Sequence, residues 1–268
     1  MKTLTLHSYK GGTGRTTLAA NIAAILAQRG NKVAVLDLDS WSPSLHTIFR
    51  IEPNSGFMHQ YLSGSIDHRE LITDLTPALN LEGELHVGVA DYHIDVIREN
   101  LSKDRKWHMN ALSRLLHLKE ELRDEKFDYV VMDSSPGIHS STVNAVVASD
   151  LTLVICKIDN FDLDGTVQLM DVLYERLDKE TAFLFNKVPP PMLEEPRRSQ
   201  VEDIIENAFG SDAVLMGFME YYPEIPLSMG IEVHALTSPD LKFTRNLKDI
   251  VSRLSIVSGY AESASGEC

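Results

Sequence analysis

Cysteine is nearly absent from this chain. Two occur among 268 residues, Cys156 and Cys268. They make neither a disulfide framework nor a metal-ligand pattern, and Cys156 falls in an apolar run that reads as core. No C-x-x-C pair is present, which removes the metal-cluster and redox chemistry that such pairs support. No window approaches 18 uninterrupted apolar residues, so no membrane span is expected. The N-terminus enters strand-like sequence at once, without the pattern of a secretory signal, and the cytoplasm is the expected compartment. Basic residues are in deficit: 25 Lys and Arg stand against 39 Asp and Glu, a formal net charge of -14. That balance argues against a broad, sequence-blind DNA-binding surface. A local cluster, Lys242, Arg245, Lys248 and Arg253, reads as a solvated helix face.

What is present describes one large α/β domain, residues 1–254, followed by a tail from Ser255 to Cys268 rich in Ser, Gly, Ala and Glu and expected to fray. Short apolar runs of strand length recur at Leu4–Ser8, Lys32–Leu38, Leu85–Ala90, Asp128–Met132, Leu151–Ile158, Thr181–Val188 and Val214–Met219. Continuous apolar runs suit strands buried on both faces. Helical patterns fall between them, over Thr17–Leu26, Asn110–Asp124, Leu163–Leu177, Ser199–Phe209 and Leu241–Leu254, two of them shortly after a proline. Alternating β and α with buried strands predicts a doubly wound, mainly parallel sheet flanked by helices. Residues 52–84 lack periodicity and read as a helical excursion over the sheet edge. Pro189-Pro190-Pro191 reads as a stiff, extended connector.

The most informative segment is Lys10-Gly11-Gly12-Thr13-Gly14-Arg15-Thr16-Thr17. It lies between an apolar strand and a long helix. A strand, a Gly-rich turn and a helix N-terminus in that order form an anion site, because backbone N–H groups converge where side chains are small and the helix dipole favours negative charge. Thr16 stands where a phosphate-loop hydroxyl binds Mg²⁺. The loop departs from G-x-x-x-x-G-K-[ST] in two places: Tyr9 takes the first Gly position and Arg15 the Lys position. Three acids, Asp37, Asp39 and Asp133, close the KVAVLDLD and DYVVMD runs. In a parallel sheet those strand ends open onto the same crevice as the loop.

The pattern K-G-G-x-G-x-T resembles the deviant Walker A loop of the MinD/ParA ATPases, and the resemblance runs from Met1 to about Leu254, strong over residues 10–17, 35–39 and 129–137 and loose between 50 and 110. It implies a P-loop NTPase fold and ATP or ADP with Mg²⁺ as ligands. Gly11, Gly12, Thr13, Gly14, Arg15, Thr16 and Thr17 would then hold the phosphates. Lys10 would reach the nucleotide of a partner subunit, and Asp39 would position the attacking water. Asp37 and Asp133 would hold magnesium-bound waters, and residues 134–137 would form a second switch. Asn186 would face the base, with the stretch from Tyr222 through Pro223 to Gly230 beside it. In the family's D-x-P-P-G, Ser135 replaces the first Pro, with no evident chemical cost.

The resemblance further implies a homodimer in the ATP state, a protein partner that regulates turnover or location, and a role in positioning or partitioning cellular structures. Membrane or nucleoid contact stays open on sequence grounds. Arg15 creates an alternative. Arg keeps the charge of Lys but carries a wider planar fork, so slow hydrolysis, or a nucleotide-binding scaffold with little turnover, follows from it.

Overall fold

A computed structural model describes residues 1–52, 56–210 and 213–264, with side chains described through Leu254. Eight strands form one sheet: β1 (Lys2–His7), β2 (Lys32–Leu38), β3 (Ile72–Asp74), β4 (Glu84–Gly88), β5 (Tyr129–Ser134), β6 (Leu151–Cys156), β7 (Glu180–Val188) and β8 (Val214–Glu220). Their order is β3-β4-β2-β5-β1-β6-β7-β8, parallel throughout except for β3, which runs antiparallel to β4 on the edge. The expected doubly wound parallel sheet is therefore the fold observed.

The central strands β1, β2, β5 and β6 are buried on both faces, and β2, β5 and β6 are apolar at most positions. Alternate residues face opposite sides. Val33, Val35, Val131, Leu153 and Ile155 pack beneath the Ala-rich helix Arg15–Gln28 and the C-terminal helix Lys242–Ala264. Ala34, Leu36, Val130 and Met132 face the helices Met58–Ser63 and Arg105–Asp124. Further along that second side, Val154, Cys156, Phe183 and Phe185 meet the helices Asn160–Leu169 and Arg197–Phe209. Cys156 is fully buried, as its apolar run implies.

Several expectations need correction. Residues 52–84 carry the short helices Met58–Ser63 and His68–Leu71, but they also supply β3, so this excursion extends the sheet as well as covering it; residues 53–55 lie outside the described residues. The helix expected over 163–177 starts at Asn160 and ends at Leu169, where a π turn, Met170–Tyr174, and a 3-10 turn follow. The three prolines do not extend: Met192 N–H donates to the Pro189 carbonyl and Leu193 N–H to the Pro190 carbonyl, closing a 3-10 turn. The helices Ile94–Leu101 and Ser140–Ala148 were not anticipated. The last helix continues past Leu254 to Ala264, and the rest of the expected tail, with Cys268, lies outside the described residues. The basic residues near the C-terminus lie on the last helix with Lys242, Arg245 and Arg253 exposed, the solvated face the sequence implies. Lys242 pairs with Glu220, and Arg253 donates to the Met216 carbonyl. Among the described residues no helix is long and apolar enough to cross a membrane.

Candidate functional site

β1 ends at His7 and the helix Arg15–Gln28 begins eight residues later, so Ser8–Gly14 must reverse direction over the carboxyl edge of the sheet. Gly12 (φ 75°) and Gly14 (φ 94°) adopt the left-handed backbone that makes this turn possible. A Cβ at Gly14 would also sit 2.6 Å from Asn186 Nδ2, so a side chain there would displace that amide. The loop borders a cleft of about 480 Å³ lined by Gly11, Gly12, Gly14, Arg15, Thr16 and Thr17 on one side and Asp39, Trp41 and Pro136 on the other. A second cleft of about 310 Å³ shares Gly14, Thr17, Lys187 and Gly230 with it and continues over Asn186, Tyr222, Ile225 and Pro226. The two hollows have the proportions of a polar half and a more apolar half of one elongated ligand. Pro223 is exposed and lines neither; its neighbours Tyr222, Ile225 and Pro226 take that wall.

The acids converge as the strand ends require. Asp37 on β2 is the direct register partner of Asp133 on β5, and both are buried. Two carboxylates held side by side out of water disfavour joint ionisation. Burial, and then the Asp133 carboxylate, hold the Asp37 pKa well above the usual range. Burial pushes Asp133 up to about 7, against the pull of the nearby Thr16 hydroxyl and the Arg15 guanidinium. Their satisfaction differs. Asp37 accepts from the backbone N–H groups of Asp39, Ser44 and Leu45. Neither oxygen of Asp133 makes a hydrogen bond of normal geometry, and the groups that temper its burial are the nearby Thr16 hydroxyl and the Arg15 guanidinium. A fully buried carboxylate beside a helix-start hydroxyl fits a hard cation bound through oxygen and water. Mg²⁺ takes few protein ligands when phosphates supply the rest. Asp133 and Thr16 are the residues that fit it.

Asp39 is also occupied. Its Oδ1 accepts from the Trp41 and Ser42 N–H groups and from the Ser135 hydroxyl at 2.9 Å. The substitution of Ser135 for the expected Pro thus has a consequence the sequence did not reveal: it joins the turn after β2 to the turn after β5. Asp39 Oδ2 faces Arg15 Nη2 at 3.7 Å. Arg15 itself is 7% exposed. Its Nε donates to the Ser134 carbonyl at 3.0 Å, and Nη1 donates to the Ser8 hydroxyl and the Lys10 carbonyl. The residue standing for the usual Lys therefore ties β1, β5 and Asp39 together from below the loop.

Lys10 turns the other way. Its ammonium lies over the Phe161 ring, 5.1 Å from the centroid, and the residue lines neither cleft. Asn186, expected to face the base, stands against the loop, where its Nδ2 donates to the Thr13 carbonyl at 2.7 Å. Lys187, which the sequence reading passed over, donates from Nζ to the Gly12 carbonyl at 2.8 Å and lines both clefts. His7 was also missed. Its Nε2 donates to the Gly137 carbonyl, and its Nδ1 accepts from the buried Tyr174 hydroxyl. Burial holds it neutral, with a pKa pushed down to about 3.

Three comparisons bear on this geometry. Residues 1–182 match the family model described as "AAA domain". An uncharacterised ATP-binding protein of Methanocaldococcus jannaschii is 28% identical over 263 residues, 95% of this chain and 88% of that protein. The chromosome-partitioning ATPase Soj of Thermus thermophilus is 28% identical over 175 residues, 65% of this chain and 62% of Soj. Among solved structures, the septum site-determining protein MinD of Pyrococcus horikoshii, complexed with Mg-ADP, superposes with a TM-score of 0.73 at 17% identity. It covers 97% of this chain and 98% of its own, and bears on the fold alone.

Proposed function

This chain belongs to the AAA domain family, as a P-loop ATPase of the MinD/ParA kind, and from that premise we propose that it is an ATP-driven dimerisation switch with slow turnover, serving cell division or partitioning. The observation that carries this reading is the Asp133 carboxylate, buried beside Thr16 without a hydrogen bond of normal geometry, under a glycine loop that borders an elongated cleft. Bound Mg²⁺ would neutralise phosphate charge at that point. The loop amides would hold the phosphates. Asn186 and the 222–230 wall would border the nucleoside, and Asp37 would keep the 39–45 turn in place through its three backbone contacts.

The position of Lys10 supports a role across an interface. Its side chain leaves its own cleft for the exposed ring of Phe161, and Tyr9, Trp41 and Ile138 are further large exposed apolar residues around the same loop. An apolar rim with a cation at its centre suits a second copy of this chain. ATP should therefore double the solution mass, ADP should not, and Lys10→Ala should abolish the difference. Light scattering with each nucleotide checks this, and a mass indifferent to nucleotide ends the dimer reading.

Turnover demands that Asp39 be released. In this conformation its lone pairs serve Trp41, Ser42, Ser135 and Arg15. Phosphate release should be slow, Mg²⁺-dependent and lower again in Asp39→Ala, by roughly 30- to 1000-fold. Equal rates for the two proteins would remove Asp39 from the chemistry. The second reading, a nucleotide-binding scaffold without turnover, is favoured by one observation, the inward commitment of Arg15. Tight MgATP binding with no phosphate release, in wild type and in Arg15→Lys alike, selects it.

A further inference from the structure

Two adjacent side chains on β7 hold two successive carbonyls of the glycine loop. Asn186 Nδ2 donates to Thr13 O at 2.7 Å and Lys187 Nζ to Gly12 O at 2.8 Å. The backbone goes out of its way to permit this. The β7–β8 pairing shifts register between Phe185 and Val188, and Lys187 sits at φ 59°, a left-handed conformation unusual for a side chain of its size. A bulge re-aims a side chain, and without one Asn186 and Lys187 would point to opposite faces of the sheet. With it, both reach the loop. Asn186 comes so near that a side chain at position 14 would push its amide away from the loop.

We propose that Asn186 and Lys187 form a clamp that sets the direction of the loop's amide groups, so that both are positioning residues for the phosphate site. A trans peptide carries its carbonyl and its N–H on opposite sides of one plane. Holding the Gly12 and Thr13 carbonyls toward β7 therefore turns the N–H groups of Thr13 and Gly14 away from it. Loop glycines are the residues with the most backbone freedom to lose, so an unheld loop would have to be ordered by the anion itself. The clamp orders it beforehand. It also gives Asn186 a task at the loop, which engages one of its two amide N–H groups. Arg15 cannot take over this task, because its donors serve Ser134, Ser8, Lys10 and Asp39.

The inference deepens the nucleotide reading and rests on it. The test uses the full chain as wild type, Lys187→Met, Lys187→Arg and Asn186→Ala. Backbone ¹⁵N order parameters are recorded without nucleotide, and MgATP and adenosine affinities are measured by calorimetry. The clamp predicts that Gly12 to Gly14 loosen in Lys187→Met and Asn186→Ala, from about 0.85 toward 0.6, while β1 and β6 stay rigid. MgATP affinity should fall roughly tenfold in both, more than adenosine affinity falls, and Lys187→Arg, which keeps a donor, should restore the loop. Weaker MgATP binding with an unchanged loop would mean that Lys187 touches phosphate directly, and overturns the clamp. Unchanged loop order with unchanged affinity overturns it as well. A wild type that binds no MgATP takes down the nucleotide reading alone, since loosening in the two variants still counts for the clamp.

Discussion

Arg15 has few alternatives to the place it occupies. Removing it leaves the Ser134 carbonyl without a buried donor and Asp39 without its counter-charge. Breaking one side of a buried ion pair is costly because the other charge remains out of water. Arg15→Met should therefore lower unfolding stability by roughly 3–5 kcal/mol, and Arg15→Lys by less, since an ammonium keeps the charge but not the fork. Urea denaturation of the three proteins decides it; a methionine variant as stable as wild type would show that the guanidinium anchors nothing. Part of this was legible in the sequence. The exchange of Lys for Arg announced altered chemistry, but not that the side chain would turn inward, because the partners that hold it arrive from Ser134 and Asp39, far away along the chain. Lys187 escaped notice for a similar reason. Its aim depends on a bulge, which alternating patterns do not reveal.

Among the elements, the helix Asn160–Leu169 shows how a neighbour shapes the loop. Gly165 faces the Tyr9 ring so closely that a Cβ there would lie 2.0 Å from its nearest carbon. Gly165→Ala should cost roughly 1–3 kcal/mol by overpacking. The double variant Tyr9→Ala with Gly165→Ala should recover much of that loss, a coupling of at least about 0.5 kcal/mol in a double-mutant cycle. Additive losses would mean the ring and the helix do not share the space. Strands were the elements most open to sequence reading, all but the short edge strand β3, whose Ile-Thr-Asp is no apolar run and which only its pairing with β4 reveals. The helix Ile94–Leu101 buries none of its residues, so the core gave its pattern no support. The helix Ser140–Ala148 is short, begins Ser-Ser-Thr and resembles a loop until β5 and the helix Arg105–Asp124 cover it. The π turn at Met170–Tyr174 continues a helical pattern in sequence; what distinguishes it is the shift that seats Tyr174 on His7.

For the whole molecule, two buried groups set opposing responses to pH. His7 is neutral in the fold, with its pKa pushed down to about 3 from an unfolded value near 6.5. The unfolded chain gains a proton that the folded chain refuses, so the stability present above 6.5 is lost as pH falls from there toward 3. Asp133 is shifted the other way, up to about 7 from 3.8. Its contribution is present below 3.8 and is lost as pH rises through 7, where the fold must carry a buried charge that Thr16 and Arg15 only partly offset. Asp133→Asn should accordingly stabilise the nucleotide-free protein at pH 8 by on the order of a few kcal/mol. The gain should shrink at pH 5, and the further rise in melting temperature on adding MgATP should disappear. Thermal melts at both pH values, with and without MgATP, test this; a variant no more stable than wild type at pH 8 would show that Asp133 is not the strained group.

By itself the sequence determined the alternation of buried strands and helices, the glycine loop at the first strand end, and the acids at two others. These are local matters: apolar run length, side-chain size and position relative to a strand end. The tertiary structure alone decided which of those acids is left without a hydrogen bond of normal geometry, where Arg15 and Lys10 point, and that Asn186 and Lys187 hold the loop. Each depends on atoms brought together across about a hundred residues or more, or on a change in strand register, and neither pattern nor composition specifies such meetings.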